Sequence, residues 1–121
     1  MSDFQTIAER YIQLWNEPDP SRRARLLEEY WAQGATYTDP MAQVAGHPDI
    51  NTLIGSVQTR FPEFRFRLIR PANGYGEHLR FSWGLGPEGV DAVIEGSDVV
   101  SLAGNRIERV VGFLDKLPAQ V

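Results

Sequence analysis

The spacing of apolar residues changes at Phe64, and no other feature of the chain limits its fold so strongly. Before that point apolar residues recur every three or four positions. Phe4, Ile7, Ala8, Tyr11, Leu14 and Trp15 make one helical face that ends near Asn16. Ser2 with Gln5 reads as a capping box at its start. Asn16-Glu17-Pro18-Asp19-Pro20 breaks this helix. Ser21 then caps a second helix, with Leu26, Leu27, Tyr30 and Trp31 inward and Arg22, Arg23, Arg25, Glu28 and Glu29 in solvent. Gly34 is its expected stop. A short strand over 35–39 ends at Pro40. Gly46-His47-Pro48 opens a third helix, because proline at the first helical position forfeits no hydrogen bond. Ile50, Leu53, Ile54 and Val57 form its buried face, and Phe61-Pro62 stops it.

From Phe64 the step is two. Phe64, Phe66 and Leu68 alternate with Arg65, Arg67 and Ile69. Pro71-Ala72-Asn73-Gly74 is a turn. Leu79, Phe81, Trp83 and Leu85 share one side of a strand over 78–85. A long strand over 90–102 kinks at Gly96. Ala103-Gly104-Asn105 turns into a last strand over 106–114. Three helices precede four strands joined by short turns. That order specifies an α+β fold with an antiparallel sheet, bent enough to leave a hollow beneath the helices.

Composition narrows the function. The 121 residues suit one domain, spanning 1–121, that buries roughly 60–70% of its unfolded surface. Charged residues make up 23% of the chain and the net charge is −4, which argues against a nucleic-acid partner. There are no cysteines, so thiolate metal sites, disulfides and a cysteine nucleophile are excluded. His47 and His78 lie far apart without ligand spacing, so no metal is expected. No apolar run approaches the length of a membrane span, and no secretory signal opens the chain. The expectation is a cytoplasmic protein without a membrane partner.

Three polar residues fall where apolar ones belong. Tyr11 lies on the inward stripe of the first helix. Asp39 ends the short strand and shares a face with Tyr37. Asp98 shares a strand face with Ala92, Ile94, Val100 and Leu102. A carboxylate there must be paired, neutral or set in a cavity, because burying an unpaired charge is costly. Each residue has a plainer reading. Tyr11 serves as a core aromatic, Asp39 as a turn residue before Pro40, and Asp98 as a bulge residue turned outward beside Gly96.

Taken together, the stretches RYIQLWN at 10–16, ATYTDP at 35–40, AGHPDI with Phe61-Pro62, EGSDVVSL at 95–102 and NRIERVVGF at 105–113 resemble the SnoaL-like and ketosteroid-isomerase-like branch of the nuclear-transport-factor-2-like superfamily. The resemblance covers nearly the whole chain. It implies a cone of three N-terminal helices packed on a curved mixed, mostly antiparallel sheet. It also implies a cofactor-independent isomerase or cyclase that moves a proton on a small apolar carbonyl compound, steroid- or polyketide-like. In the isomerases a first-helix tyrosine, an aspartate base and a late-strand aspartate match Tyr11, Asp39 and Asp98 by order and context. Those roles are a worked case of pKa tuning and come here by resemblance. Trp15, Trp31, Tyr37, Phe64, Phe81 and Trp83 would line the apolar pocket. A homodimer packed through the outer sheet face is the family norm.

Two other readings stand beside it. A non-catalytic ligand-binding or dimerisation module would use the same fold. Epoxide opening would need an arginine between Asp39 and Asp98, and Arg80 is the candidate. His78 reads as an outer-face residue, His47 as a helix N-terminal one, and Asp115 as marking the sheet edge. Arg65, Arg67, Arg70 and Arg80 read as a solvated or dimer-facing strip paired with glutamates, or as a basic strip for an acidic ligand.

Overall fold

The computed structural model describes residues 3–118. Three helices, α1 (Phe4–Asn16), α2 (Pro20–Tyr30) and α3 (His47–Arg60), pack on a seven-stranded sheet. Its strands are β1 (Trp31–Asp39), β2 (Ala42–Ala45), β3 (Phe64–Leu68), β4 (Asn73–Tyr75), β5 (His78–Pro87), β6 (Ile94–Ala103) and β7 (Arg106–Lys116). The order across the sheet is β2-β1-β7-β6-β5-β3, with β4 on β5. Only β1 and β7 pair in parallel among these neighbours, so the sheet is mixed and mostly antiparallel. This is the α+β cone expected from the sequence.

Local chemistry departs from the sequence reading in instructive places. Ser2 lies outside the described residues, and Asp3 caps α1 by accepting a hydrogen bond from the Thr6 amide at 2.7 Å. Gln5 turns instead to the loop before β4, accepting from the Ala72 amide at 2.8 Å. Asp19, not Ser21, caps α2, and Pro20 takes the first helical position. The second helix ends at Tyr30, so Trp31 begins β1 and Gly34 lies inside that strand. The pairing of β1 with β7 slips between Trp31 and Thr36, which lets a longer strand pass through a glycine. The sixth strand starts at Ile94 rather than Val90, and its register shifts beside Gly96 as the lone glycine suggested. Strands β2 and β4 are too short to have left a periodic signal. Asp115 lies near the end of β7, past the last β1–β7 pair at Val111, where the strand pairs on its β6 side alone.

The core collects the inward faces of α1, α2, α3 and the sheet. Leu14, Leu27, Trp31, Ile50, Ile54, Leu79, Val100 and Val110 are fully buried there. Two polar devices lock its rim. Asn16 pairs with the Phe66 backbone as a strand would, donating at 2.9 Å and accepting at 2.8 Å, and so ties the end of α1 to the edge strand β3. Arg23 is the larger correction. It is buried, not solvated, and donates to Asn51 at 2.7 Å, the Glu17 carbonyl at 2.8 Å and Gln58 at 3.0 Å. Gln58 donates in turn to the Trp15 and Glu17 carbonyls at 3.0 and 2.9 Å. One guanidinium thus ties the end of α1 to α3.

Arg23→Met should cost about 1–3 kcal/mol, since it leaves buried acceptors unpaired. Urea denaturation reads this directly, and an unchanged midpoint would show that water replaces the arginine at no cost.

Candidate functional site

Four neighbouring strands lay a row of side chains across the inner face of the sheet. Asp98 on β6 sits opposite Phe81 on β5 and Gly112 on β7. The parallel pairing of Tyr37 with Val110 and Thr38 with Val111 brings Asp39 level with Gly112. Gly112 acts through what it lacks. A Cβ there would stand 2.7 Å from Asp98 Oδ1 and 3.4 Å from Asp39 Cβ. The two acids therefore flank one bare glycine.

Tyr11 reaches this row from α1. Its hydroxyl donates a short hydrogen bond to Asp98 Oδ2. The Trp83 indole N–H donates to Asp98 Oδ1 at 3.1 Å. Trp83 gets there by crossing Gly96, where an added Cβ would lie 2.3 Å from its ring. Asp98 is 2% exposed. Its pKa is raised to about 6, first by burial, against the pull of the two donors, and further by the negative charges of Asp39 and Asp115. Burial also pushes the Tyr11 phenol well above its ordinary value, and the Asp98 charge pushes the same way. Tyr37 is raised by burial and then by Asp98 and Asp39.

Asp39 closes the two-residue hairpin turn between β1 and β2. Its Oδ1 accepts from the Met41 and Ala42 amides at 2.8 and 2.9 Å, and its Oδ2 accepts from the Tyr37 hydroxyl at 2.7 Å. A carboxylate offers about four acceptor positions. Three are filled, and the open one is on Oδ2. The turn reading and the base reading of Asp39 are thus compatible, because the turn uses one oxygen and leaves the other facing inward beside Tyr37.

The structure brings Tyr11, Asp39 and Asp98 into one row. It distributes the six aromatic candidates differently. Trp31, Tyr37 and Phe81 are buried, and Tyr11 packs on Trp31 at 5.9 Å and on Phe81 at 4.8 Å. The void beside Tyr11 and Trp31 is about 10 Å³, room for a single water at most. Trp83 is half-buried and serves as a hydrogen-bond donor. Trp15 and Phe64 line a cleft of about 640 Å³, together with Val57, Phe61, Phe66 and Leu85. That volume suits a small organic molecule. None of Tyr11, Asp39 and Asp98 lines this cleft.

Sequence reasoning missed Gly112 and the donor role of Trp83. An isolated glycine in the strand VVGF was the available signal, since such a glycine marks close approach. Arg80 is exposed and pairs with Val99 on the outer face, so the arginine that epoxide opening would need is not between the acids. Arg65, Arg67 and Arg70 are exposed as well, and Arg67 donates to the Val90 carbonyl at 3.1 Å. His78 is exposed against Tyr75. His47 starts α3, with Nε2 2.9 Å from the Ala32 carbonyl. Among the described residues no three metal-ligating side chains cluster. Among them, too, no helix is long and apolar enough to cross a membrane.

The fold is a cone-shaped α+β fold of nuclear-transport-factor-2-like type. No protein-family model matches the chain, and no curated protein does. Solved structures supply the relationship. A protein of the SnoaL-like family from Agrobacterium tumefaciens strain C58, described as a candidate isomerase, is 42% identical. The match covers 95% of this chain and 99% of that one, with a TM-score of 0.89. The chain belongs to the SnoaL-like family. Two more distant structures share the fold. A candidate ketosteroid isomerase from Kribbella flavida has a TM-score of 0.70 at 15% identity, over 98% of this chain and 82% of that one. A candidate SnoaL-like polyketide cyclase from Jannaschia sp. CCS1 has a TM-score of 0.69 at 15% identity, over 95% and 90%.

Because the folded pKa of Asp98 lies above its unfolded value of 3.8, the native state holds this proton more tightly. The stability it lends is present at low pH and is lost as pH rises through about 6. Wild type should therefore lose roughly 2 kcal/mol relative to Asp98→Asn between pH 4 and 7. Denaturant titrations of both proteins across that range check this, and a constant difference would contradict it.

Proposed function

We propose that the chain is an isomerase or cyclase that moves a proton on a small apolar carbonyl compound without a cofactor. The observation that carries this reading is the Tyr11–Asp98 contact, set beside Asp39 across Gly112. When Asp98 is ionised, one proton lies between the phenol and the carboxylate, and neither group has a second to offer. When Asp98 is neutral the pair holds two protons. One bridges the contact and the other can be given to an oxygen. An enolate oxygen developing beside the pair would accept it, which is stabilisation of the oxyanion type.

Asp39 is the base in this reading. Its open acceptor position on Oδ2 would take the proton from the carbon next to the carbonyl, and return it elsewhere in an isomerisation. In a cyclisation the carbanion formed would attack a second carbonyl. The 42% identical relative described as a candidate isomerase supports the class. The cleft, whose aromatic wall is interrupted by Asn16, Gln58, Glu63, Arg65 and Glu88, would seat a small molecule with both an apolar ring and polar groups.

A second reading, a non-catalytic ligand-binding or dimerisation module, is favoured by the packing around Tyr11, which leaves little free space there. The homodimer belongs to both readings. Val99 and Phe113 are 41% and 54% exposed on the outer sheet face, where a second copy would cover them. Sedimentation at micromolar concentration should give two chains, and a monomer would remove the dimer.

The catalytic reading is tested by exchange of the hydrogens next to the carbonyl in D₂O, over a panel of steroid, polyketide-like and terpenoid ketones. Wild type should accelerate exchange for at least one. Asp39→Asn, which retains an oxygen for the turn amides, should slow it by about 100-fold or more. In wild type kcat/KM should fall as pH rises through about 6, the pKa of Asp98, and Asp98→Asn should abolish that fall. Full activity in Asp39→Asn, or no exchange with any ketone, would leave the binding module as the better account.

A further inference from the structure

Trp15 follows Tyr11 by about one helical turn on the inward face of α1. Side chains on a helix lean toward its N-terminus, so the indole leans back over the phenol. The two ring centres lie 6.2 Å apart, with 36° between the planes. Tyr37 at 5.5 Å and Phe66 at 5.3 Å pack against the indole as well. Its N–H is sealed from solvent and has no hydrogen-bond partner. The one polar group near it is the Tyr11 hydroxyl, on the side away from the cleft.

A buried donor without an acceptor is uncommon in a folded protein. The neighbouring donors all have acceptors. Trp83 gives its N–H to Asp98, Tyr11 its O–H to Asp98, and Tyr37 its O–H to Asp39. The Trp15 N–H alone among these four is left over. A phenol oxygen that donates its proton still has lone pairs with which to accept. The Trp15 N–H stands beside those of Tyr11. At rest the contact falls short of a hydrogen bond, yet it already favours the Tyr11 phenolate. Burial, the Asp98 charge and Tyr37 all act the other way.

We propose that Trp15 is a positioning residue for Tyr11: its indole N–H is held at the phenol oxygen and closes into a hydrogen bond when negative charge builds there. This deepens the isomerase or cyclase reading and rests on it for its place in the reaction. As Tyr11 shares its proton with ionised Asp98 or with an enolate oxygen, its own oxygen grows more negative and accepts more strongly. A hydrogen bond complete at rest would stabilise ground and transition states alike. One completed only under charge lowers the barrier. The leftover donor is thus the resting form of a bond made during the reaction, and the packing of Tyr37 and Phe66 keeps it aimed.

The test is NMR of uniformly ¹⁵N-labelled protein without ligand. The chain has 3 tryptophans, and Trp15→Phe and Trp83→Phe identify two of the indole signals. Tyr11 and Asp98 face Tyr37 and Asp39 on β1 and Asp115 on β7, and Asp98 ionises near pH 6. As pH rises through about 6 the Trp15 indole proton should move downfield. Asp98→Asn should abolish that shift. Tyr11→Phe, which removes the acceptor oxygen, should abolish it too, while the Trp83 signal still reports the ionisation of Asp98. A Trp15 signal that stays still in wild type, or moves as far in Tyr11→Phe, would overturn the assignment. If Trp15→Phe or Tyr11→Phe does not fold, sequential assignment of wild type and the Asp98→Asn comparison decide alone. With a ketone that passes the exchange test, Trp15→Phe should lower kcat about two- to tenfold and leave KM unchanged. A loss confined to KM would make Trp15 part of the cleft wall only and overturn its role at Tyr11. A protein that exchanges no ketone removes the catalytic reading, and the ligand-free shift still decides the bond between Trp15 and Tyr11.

Discussion

A carboxyl group buried on the inner face of a sheet constrains everything around it. Asp98 is 2% exposed, so its charge has to be suppressed or answered by donors. The fold does both in part. Burial raises its pKa to about 6, while Tyr11 and Trp83 supply hydrogen bonds that favour the ionised form and hold the rise in check. Each donor imposes its own requirement. Tyr11 needs α1 to cross the sheet at one height, and the Asn16–Phe66 pairing fixes the end of that helix. Trp83 needs Gly96 beneath its ring, and both acids need Gly112 between them. Small residues at two places in the sheet are thus the counterpart of large polar groups at their neighbours.

The fold was legible because periodicity is a property of local sequence. The switch from helical to strand spacing at Phe64 and the turn residues around Gly104 gave the order of most elements. The parts that were not legible depend on distant partners. Trp31 has the apolar character of a helix face, yet it pairs with Ile107 across the sheet. Arg23 follows Arg22 in a charged run, yet it is buried because Asn51, Gln58 and the Glu17 carbonyl meet it there. Short strands such as β2 and β4 are held by pairing with longer neighbours and carry too few residues to show a period.

The site shows the same division. Three polar residues could be picked out from helical spacing and strand alternation, and Tyr11 and Asp39 both lie beside Asp98. Their environment could not be read so easily. The aromatic residues near Tyr11 form packed core rather than an open pocket, and the larger space lies beyond Trp15. Asp39 shows why a choice between a structural and a chemical role can mislead. Its Oδ1 holds a hairpin turn, while its Oδ2 keeps an open position beside Tyr37. Proline at position 40 sets the turn, and the turn amides fix the carboxylate.

All of this depends on Asp98 accepting a proton near neutrality, so that a phenol and a carboxylic acid share two protons inside the core. Carbon-13 NMR of protein labelled at the aspartate carboxyl carbons observes that event without any ligand. The account predicts one buried carboxyl signal, absent from Asp98→Asn, that titrates near pH 6. An Asp98 signal that titrates at the ordinary aspartate value of about 4 would contradict it.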